Sequence, residues 1–233
     1  MINNIFKQIT SVKHKIAYAA RQVHRDSDQI QLLAVSKTKP VSAIKQAYQA
    51  GLRHFGENYV QESIEKIQQI KADADFDEPI CWYFIGPLQS NKTRPVAENF
   101  DWVQSVDRFK IAQRLNDQRP NNLPALNICL QVNISEEASK SGTTLSQVIE
   151  LASQVNSLAH LKLRGIMAIP KKTENIELLE NQFDTLYNIY HQLQLLYPDI
   201  DTLSMGMSAD LHSAIRCGST MVRIGSDIFG SRN

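Results

Sequence analysis

The chain lacks an excess of charge of either sign. Its 233 residues include 25 lysines and arginines against 24 aspartates and glutamates, a formal net charge of +1 at pH 7. Proteins that bind nucleic acids or anionic membranes through charge need a surplus of positive side chains to neutralise phosphates. The balance therefore argues against nucleic acid and membrane surfaces as partners.

Cysteine is also scarce. The sequence has only Cys81, Cys129 and Cys217, which stand far apart and form no Cys-x-x-Cys pair. An odd number of scattered cysteines suits neither a disulfide framework nor a zinc site, and the histidines show no metal-ligand spacing. We therefore expect no bound metal, and a reducing cytoplasm suits these thiols.

Long hydrophobic runs are absent as well. Residues 3–24 have apolar side chains at helical spacing, but Lys7, Lys13, Lys15 and Arg21 interrupt them. A signal-peptide core or a membrane span needs a longer uncharged stretch. The sequence thus predicts a cytoplasmic protein that begins with an amphipathic helix.

Short apolar segments recur along the chain, and most are followed by a longer segment with helical periodicity. They begin at Gln31, Arg53, Cys81, Asp101, Ala125, Leu161, Thr202 and Met221. Strands buried on both faces and joined by helices favour a parallel sheet, and eight of them favour a closed barrel. With no linker or repeat in the sequence, we predict an α/β fold with one domain over residues 1–233, a TIM-type β/α barrel with an extra N-terminal helix. An open doubly wound sheet is the alternative.

Two of the predicted helices have clear boundaries or faces. The segment from Val41 ends at Gly51, a suitable residue for the position after a helix. Residues 174–196 carry an apolar stripe that is expected to face the core: Ile176, Leu179, Phe183, Leu186, Tyr190 and Leu193.

Lys37 directly follows the first predicted strand, where a barrel places its active face. A lysine there can simply be solvated, or it can form a Schiff base if burial lowers its pKa and leaves the amine neutral. Lys39 competes for this role, but it lies next to Pro40 and is expected to point away from the barrel axis.

Small residues cluster after the seventh and eighth strands, where barrels commonly bind phosphate. They are Ser204, Gly206, Ser208, Gly225 and Ser226, and a helix predicted near Ala209 adds its positive end. Tight turns alone would also explain such residues. Arg223 stands between apolar residues of a strand, so it needs either a buried partner such as an aspartate or a ligand.

Two further loops contain polar residues. Asn58 follows the strand that ends at Gly56, and it either caps the next helix or donates to a ligand. Residues 89–92 follow the turn at Gly86 and Pro87, and they are candidates for the rim of the site.

A resemblance extends over nearly the whole chain. The motifs that carry it are AVSKTKP, HFGENYVQE, WYFIGPLQSNK, QSVD, VNISEEASKSG, GIMAIP, LSMGMSAD and VRIGSDIFGSR, in this order. Together they resemble the pyridoxal phosphate homeostasis protein (YggS/PROSC) family, whose fold is similar to the barrel domain of alanine racemases. Tyr83 stands where that family often has histidine, and Ser226 where threonine is common.

The resemblance implies a cofactor and a set of site residues. Pyridoxal 5′-phosphate (PLP) would form a Schiff base with Lys37, and Arg223 would face its pyridine nitrogen. The phosphate would be held by Ser204, Gly225 and Ser226, while Asn58 and Met207 would line the pocket.

The family's implied role is the balance of vitamin B6 in the cell, without catalysis. We therefore expect a monomeric PLP carrier or buffer that meets apo forms of PLP-dependent enzymes transiently. Lys140 either belongs to an ordinary polar loop or assists that exchange. A PLP-dependent amino-acid racemase is the alternative. Racemases of similar fold take their second base from an additional β domain that this sequence does not contain, which favours the carrier. An aldolase-like barrel without a cofactor would explain Lys37 but not Arg223.

Overall fold

The computed structural model of the chain describes residues 2–135 and 141–230. Its strands form a closed barrel in which each pairs in parallel with the next and β8 returns to β1. The strands are β1 Gln31–Val35, β2 His54–Glu57, β3 Cys81–Phe84, β4 Trp102–Val106, β5 Leu126–Gln131, β6 Leu161–Met167, β7 Thr202–Ser204 and β8 Met221–Ile224. The α-helices are α1 Ile2–Gln22, α2 Val41–Gln49, α3 Val60–Lys71, α4 Thr93–Asn99, α5 Phe109–Gln118, α6 Val148–Asn156, α7 Ile176–Leu196, α8 Leu211–Arg216 and α9 Ser226–Phe229.

The closed barrel confirms the predicted fold class and excludes the open doubly wound sheet. All eight predicted segments form strands, and the pairing of Leu33 in β1 with Arg223 in β8 closes the ring. A closed ring leaves no edge strand with unpaired backbone groups. It also places the carboxyl ends of all the strands around one opening.

Alternation along the strands separates two apolar regions. In β1, Leu33 points into the barrel, whereas Leu32 and Ala34 belong to the layer between the barrel and its helices. The interior cluster is small and mixed in chemistry, with Leu33, Tyr83, Trp102, Cys129, Met167 and Met221. The outer layer contains most of the buried aliphatic side chains, and it supplies most of the hydrophobic stabilisation.

The extra N-terminal helix α1 is confirmed, and it packs against α8 and α9 beside the last strands. It ends at Gln22, and His24 just beyond it has a left-handed backbone with a φ of 55°. An ion pair of 2.7 Å joins Lys15 of α1 to Asp227 of α9. Within the two described ranges, no helix is long and apolar enough to cross a membrane.

The apolar stripe predicted for residues 174–196 is only partly buried. Phe183, Leu186, Tyr190 and Leu193 are buried in α7, but Ile176 is 63% exposed. Helix α7 begins at Ile176, with the side chain of Asn175 accepting the hydrogen bond of Leu178 N–H as an N-cap. The first turn therefore extends beyond the layer against which the rest of the helix packs.

Candidate functional site

A cavity of about 340 Å³ opens at the carboxyl ends of the strands. Its volume is within the range of small-molecule sites, roughly 300 to 1,000 Å³. The wall is formed by Val35, Lys37, Lys39, Asn58, Ile85, Met167, Ile169, Met207, Ser208, Ala209, Arg223, Gly225, Ser226 and Gly230. These residues come from the ends of β1, β6 and β8 and from the segments that follow β1, β2, β3, β6, β7 and β8, so residues far apart in sequence meet at one opening.

The loop after β1 brings two lysines to this wall. Lys37 is half-buried, as predicted for a residue at the strand's end. Lys39 also lines the cavity, so the expectation that it points away is wrong. Thr38 between them has a φ of 63°, a left-handed conformation that a β-branched residue rarely adopts, and this turn accounts for both lysines reaching the same cavity.

Arg223 lies in β8 inside the barrel and is 4% exposed. Its guanidinium donates to the Ser204 hydroxyl at 2.7 Å and to the Ala168 carbonyl at 2.9 Å. No carboxylate pairs with it in the described part of the chain, so the alternative of a buried aspartate partner finds no support there. Burial lowers the pKa of Arg223 to about 10, although the charge of Asp210 opposes that shift. The side chain remains positively charged at neutral pH.

Asn58 lies in the loop between β2 and α3. Its Oδ1 is buried and has no hydrogen-bond partner among the described residues. The residue does not cap α3, because Tyr59 occupies the N-cap position without a side-chain hydrogen bond. Gly86 packs directly on the Asn58 backbone, where a Cβ atom would come within 2.2 Å of the Asn58 carbonyl oxygen. The glycine therefore fixes the position of Asn58 at the cavity wall.

Small polar residues after β7 and β8 form the opposite part of the wall. The Ser226 hydroxyl lies 3.2 Å from the Ser208 hydroxyl, and Gly225 and Met207 line the cavity beside them. The Met207 N–H donates to the Asp210 carboxylate at 2.5 Å, which holds this loop closed. Helix α8 begins at Leu211 and has six residues, so it starts later than predicted.

Ser204 does not join this group. It is fully buried in β7, where its hydroxyl accepts from Arg223 and donates to Gln104 Oε1 at 2.8 Å. Gln104 in turn donates to the sulfur of Met221 at 3.0 Å. This interior chain places Ser204 next to Arg223 and not on the cavity wall. Ser208, one of the small residues that the sequence placed after the seventh strand, lies on the cavity wall instead.

The rim predicted from residues 89–92 is not part of the cavity wall. Residues 90–92 form a short 3-10 turn that leads into α4, and Arg114 of α5 binds the Ser90 carbonyl at 2.7 Å. Lys140 lies outside the described residues. Among the described residues, no group of three or more histidine, cysteine or acidic side chains could hold a metal ion.

A second and larger cavity, about 810 Å³, lies at the opposite end of the barrel. Tyr83 and His54 line it, and their side chains are joined by a 3.0 Å hydrogen bond between Tyr83 Oη and His54 Nδ1. The arginines on its wall are already paired, Arg53 with Glu78 and Arg164 with Asp201. Barrel sites characteristically lie at the carboxyl ends of the strands, so the smaller cavity is the candidate site.

The fold and the site at the barrel's carboxyl end define a class of protein. The family described as "Alanine racemase, N-terminal domain" matches residues 9–233. A curated relative from Haemophilus influenzae, named pyridoxal phosphate homeostasis protein, is 54% identical over 99% of this chain and 97% of its own length. The protein of the same name from Escherichia coli K12 is 49% identical over 100% of this chain and 98% of its own. The chain belongs to the pyridoxal phosphate homeostasis protein family.

Solved structures agree with this assignment. PipY from Synechococcus elongatus, solved with PLP bound, is 32% identical, with a TM-score of 0.82 over 97% of this chain and 100% of that chain. Alanine racemase from Corynebacterium glutamicum has a TM-score of 0.69 over 99% of this chain and 62% of its own, at 11% identity. That likeness shows a shared fold alone.

Proposed function

We propose that this chain binds PLP through Lys37 in the 340 Å³ cavity and acts in PLP homeostasis by carrying or buffering the cofactor. One observation carries the proposal. A single cavity brings together a lysine, a buried arginine that has no carboxylate partner in the described chain, and two serine hydroxyls 3.2 Å apart. The PLP-bound PipY structure and the names of the curated relatives support the same cofactor.

The residues of the wall fit the polar parts of PLP. Ser208 and Ser226 would hold the phosphate, with the backbone of Gly225 beside them. Arg223 has only donors, so it would face an unprotonated pyridine nitrogen. The buried Oδ1 of Asn58, which has no partner among the described residues, would accept a hydrogen bond from the ring's hydroxyl group. The cavity thus offers a complementary group for each polar part of the ring and its phosphate.

The covalent attachment depends on the amine of Lys37. When bound, PLP supplies an aldehyde, an electrophilic carbon that a neutral amine attacks. Lys37 is half-buried at the cavity wall, which places its side chain beside a cofactor held there. Lys37 would thus hold the cofactor reversibly, which suits a carrier.

The remaining groups on the wall favour a carrier over a racemase. Of the fourteen described wall residues, only Lys37, Lys39 and Arg223 are titratable. Racemisation normally needs two bases on opposite faces of the substrate. Lys39 is two residues from Lys37 on the same loop, and the arginine keeps its proton. We therefore propose that the protein does not turn over amino acids.

The same proposal covers the state and setting of the protein. We propose one domain over residues 1–233, a cytoplasmic monomer that delivers PLP to apo enzymes through transient contacts. The closed barrel supports the single domain, because all eight strands belong to one sheet.

The proposal is tested by determining which lysine forms the covalent bond with PLP. Purified wild-type protein incubated with PLP and reduced with borohydride should carry the mass of the cofactor on Lys37 and show the absorption of a PLP–lysine adduct. Lys37→Ala should lose both signals, while the neighbouring variant Lys39→Ala should keep the adduct on Lys37. A label mainly on Lys39 in the wild type, or no adduct at all, would contradict the proposal.

A further inference from the structure

A buried ionic cluster lies directly beneath the loop that carries Lys37. Its members are Ser36, Glu57 and Lys66, with Glu62 at its edge. Lys66 Nζ donates to Glu57 Oε1 at 2.9 Å and to Glu62 Oε1 at 2.5 Å, and the Ser36 hydroxyl donates to Glu57 Oε1 at 2.6 Å. Glu57 is fully buried and Lys66 is 6% exposed. None of the four residues lines the cavity.

Stability alone is a poor explanation for these charges. Desolvation of a buried ion pair costs free energy that its attraction often only just recovers. Burial raises the pKa of Glu57, while Lys66 and Ser36 oppose that shift. Burial of the cluster therefore costs desolvation free energy. The hydrogen bonds between the cluster and the backbone indicate its role.

Those hydrogen bonds reach the residues on either side of Lys37. On one side, Lys66 Nζ donates to the Ser36 carbonyl at 2.9 Å. On the other, the Thr38 N–H donates to Glu62 Oε1 at 2.6 Å. The same glutamate oxygen also accepts from Lys66. One ionic cluster therefore forms hydrogen bonds with the backbone immediately before and after Lys37.

The backbone at one of these two hydrogen bonds, that of Thr38, is strained. Thr38 has a φ of 63°, and a non-glycine residue in this region costs roughly 1 to 3 kcal/mol unless its surroundings impose the conformation. The hydrogen bond from the Thr38 N–H to Glu62 is such a constraint. Without it the loop would relax toward an extended backbone, and the direction of the Lys37 side chain would change.

We propose that Lys66 and Glu62 are positioning residues for Lys37: with Glu57 as their buried anchor, they hold the strained loop so that the Lys37 amine faces the cofactor's aldehyde. This inference rests on the proposed function. In the step concerned, the neutral Nζ of Lys37 forms a bond to the aldehyde carbon, and the aldehyde oxygen leaves as water with the two hydrogens of the amine. The cluster touches none of the reacting atoms.

The experiment separates covalent attachment from binding in the cavity. Two ligands are used: PLP, and pyridoxine 5′-phosphate, which has the ring and phosphate but no aldehyde. Lys66→Met removes the charge while keeping a long side chain, and Glu62→Ala removes the acceptor of the Thr38 N–H. Glu62→Gln keeps an acceptor there. Lys45→Met, which breaks an ion pair with Asp73 away from the cavity, is the matched control.

The substitutions are expected to change the rate of PLP attachment but not the affinity for pyridoxine 5′-phosphate. Because a misplacement of about 1 Å can slow a reaction by roughly a hundredfold, Lys66→Met and Glu62→Ala should slow attachment to Lys37 by at least about tenfold. They should leave pyridoxine 5′-phosphate affinity within about twofold, because the positions of Arg223 and the serines are unchanged. Glu62→Gln should restore much of the rate, and Lys45→Met should match the wild type.

Contrary outcomes are equally clear. Unchanged attachment in folded Lys66→Met and Glu62→Ala would overturn the inference, as would a parallel loss of affinity for both ligands, which a general structural role predicts. If Lys66→Met does not fold, the comparison of Glu62→Ala with Glu62→Gln decides alone, because Glu62 is partly exposed. A wild-type protein that never attaches PLP to Lys37 would instead refute the proposed function.

Discussion

Ser204 is the last residue of β7 and Ser226 follows β8, the neighbouring strand of the barrel. The two serines nevertheless lie in different surroundings. Ser226 has its hydroxyl on the cavity wall, 3.2 Å from that of Ser208. Ser204 is fully buried and bound to Arg223 and Gln104. Both were predicted to hold the phosphate, and the structure brings only Ser226 to the cavity.

Substitution of the two serines by alanine should therefore have different effects. A hydrogen bond to a charged group contributes about 1.5 to 3 kcal/mol, so Ser226→Ala should weaken PLP binding by roughly tenfold or more. Its effect on unphosphorylated pyridoxal should be small. Ser204→Ala should weaken the affinity for both ligands alike, because it acts on Arg223 and the ring. Equilibrium dialysis with the two ligands measures this.

Equal selectivity in the two serine variants would contradict this division of roles. If Ser204→Ala affected only the phosphorylated ligand, Ser204 would be a phosphate ligand after all. Circular dichroism of both variants serves as the control for folding.

A second prediction at the residue scale concerns His54. Burial lowers its pKa from the usual 6.5, so the unfolded chain binds more protons than the folded one as the pH falls below 6.5. The free energy of unfolding should then fall with the pH through that window. Burial also raises the pKa of Tyr83, so its phenol keeps its proton and can donate only to an unprotonated His54 Nδ1.

His54→Asn should accordingly flatten the acid side of the stability profile. Urea unfolding above and below pH 6.5 measures the effect, with the exposed His24→Asn as control, since asparagine tolerates the left-handed backbone at that position. A profile unchanged by His54→Asn would show that other groups dominate the acid sensitivity.

Elements of secondary structure were more predictable from the sequence than side-chain surroundings. The eight strands were evident because each is a short apolar run before a helical segment, and pairing of neighbours follows from that order. Nothing in the sequence, however, shows that the Arg223 guanidinium reaches Ser204 or that Gly86 packs on Asn58. Such contacts join residues far apart in the chain, and only the closed barrel brings them together.

Local sequence rules failed where tertiary contacts decide the outcome. Asparagine before a helix commonly caps it, but Asn58 is held at the cavity wall and Tyr59 takes the N-cap position. Proline after Lys39 suggested a side chain directed away from the barrel. Thr38 adopts a left-handed turn instead, and its N–H donates to Glu62 on another element.

The contact between α1 and α9 supplies a prediction at the scale of elements. Asp227 follows Ser226, and its pKa is lowered chiefly by the hydrogen bond from Lys15 of α1. Without Lys15, the Asp227 carboxylate would lose its cation next to Ser226, which is proposed to hold the phosphate. Because partly exposed ion pairs contribute about 0.2 to 1 kcal/mol, Lys15→Met should weaken pyridoxine 5′-phosphate binding by up to about fivefold, and less at high salt.

The matched control for this change is Lys7→Met, which removes the same charge farther toward the start of the same helix. Asp227→Asn combined with Lys15→Met should restore the affinity, since the repelling carboxylate is then gone. Equal weakening by Lys7→Met and Lys15→Met would point to net charge instead of this specific contact. Fluorescence titration at two salt concentrations gives the measurement.

At the scale of the whole molecule, the polar side chains of the barrel line two cavities at opposite ends. The carboxyl end gathers Lys37, Arg223 and the serines, whereas Tyr83 faces the larger cavity at the other end with His54. Tyr83 therefore cannot serve as a base at the proposed PLP site. Tyr59 is 49% exposed and is not part of the cavity wall. Neither tyrosine can therefore supply the second base that a racemase would need at this site.

We therefore expect no appreciable racemase or transaminase turnover even with PLP bound. Arg223, with a pKa of about 10, stays charged at neutral pH, so it would leave the ring nitrogen unprotonated and weaken the ring as an electron sink, which penalises transamination most. Racemisation is disfavoured because neither tyrosine is on the described wall. Solvent deuterium exchange at the α-carbon of alanine and serine, followed by NMR, is the sensitive measurement. Lys39 is the one other amine on the described wall, so Lys39→Ala is assayed beside the wild type and Lys37→Ala. Exchange at ordinary enzymatic rates that disappears in Lys37→Ala would make the protein an enzyme, and its loss in Lys39→Ala as well would identify the second base.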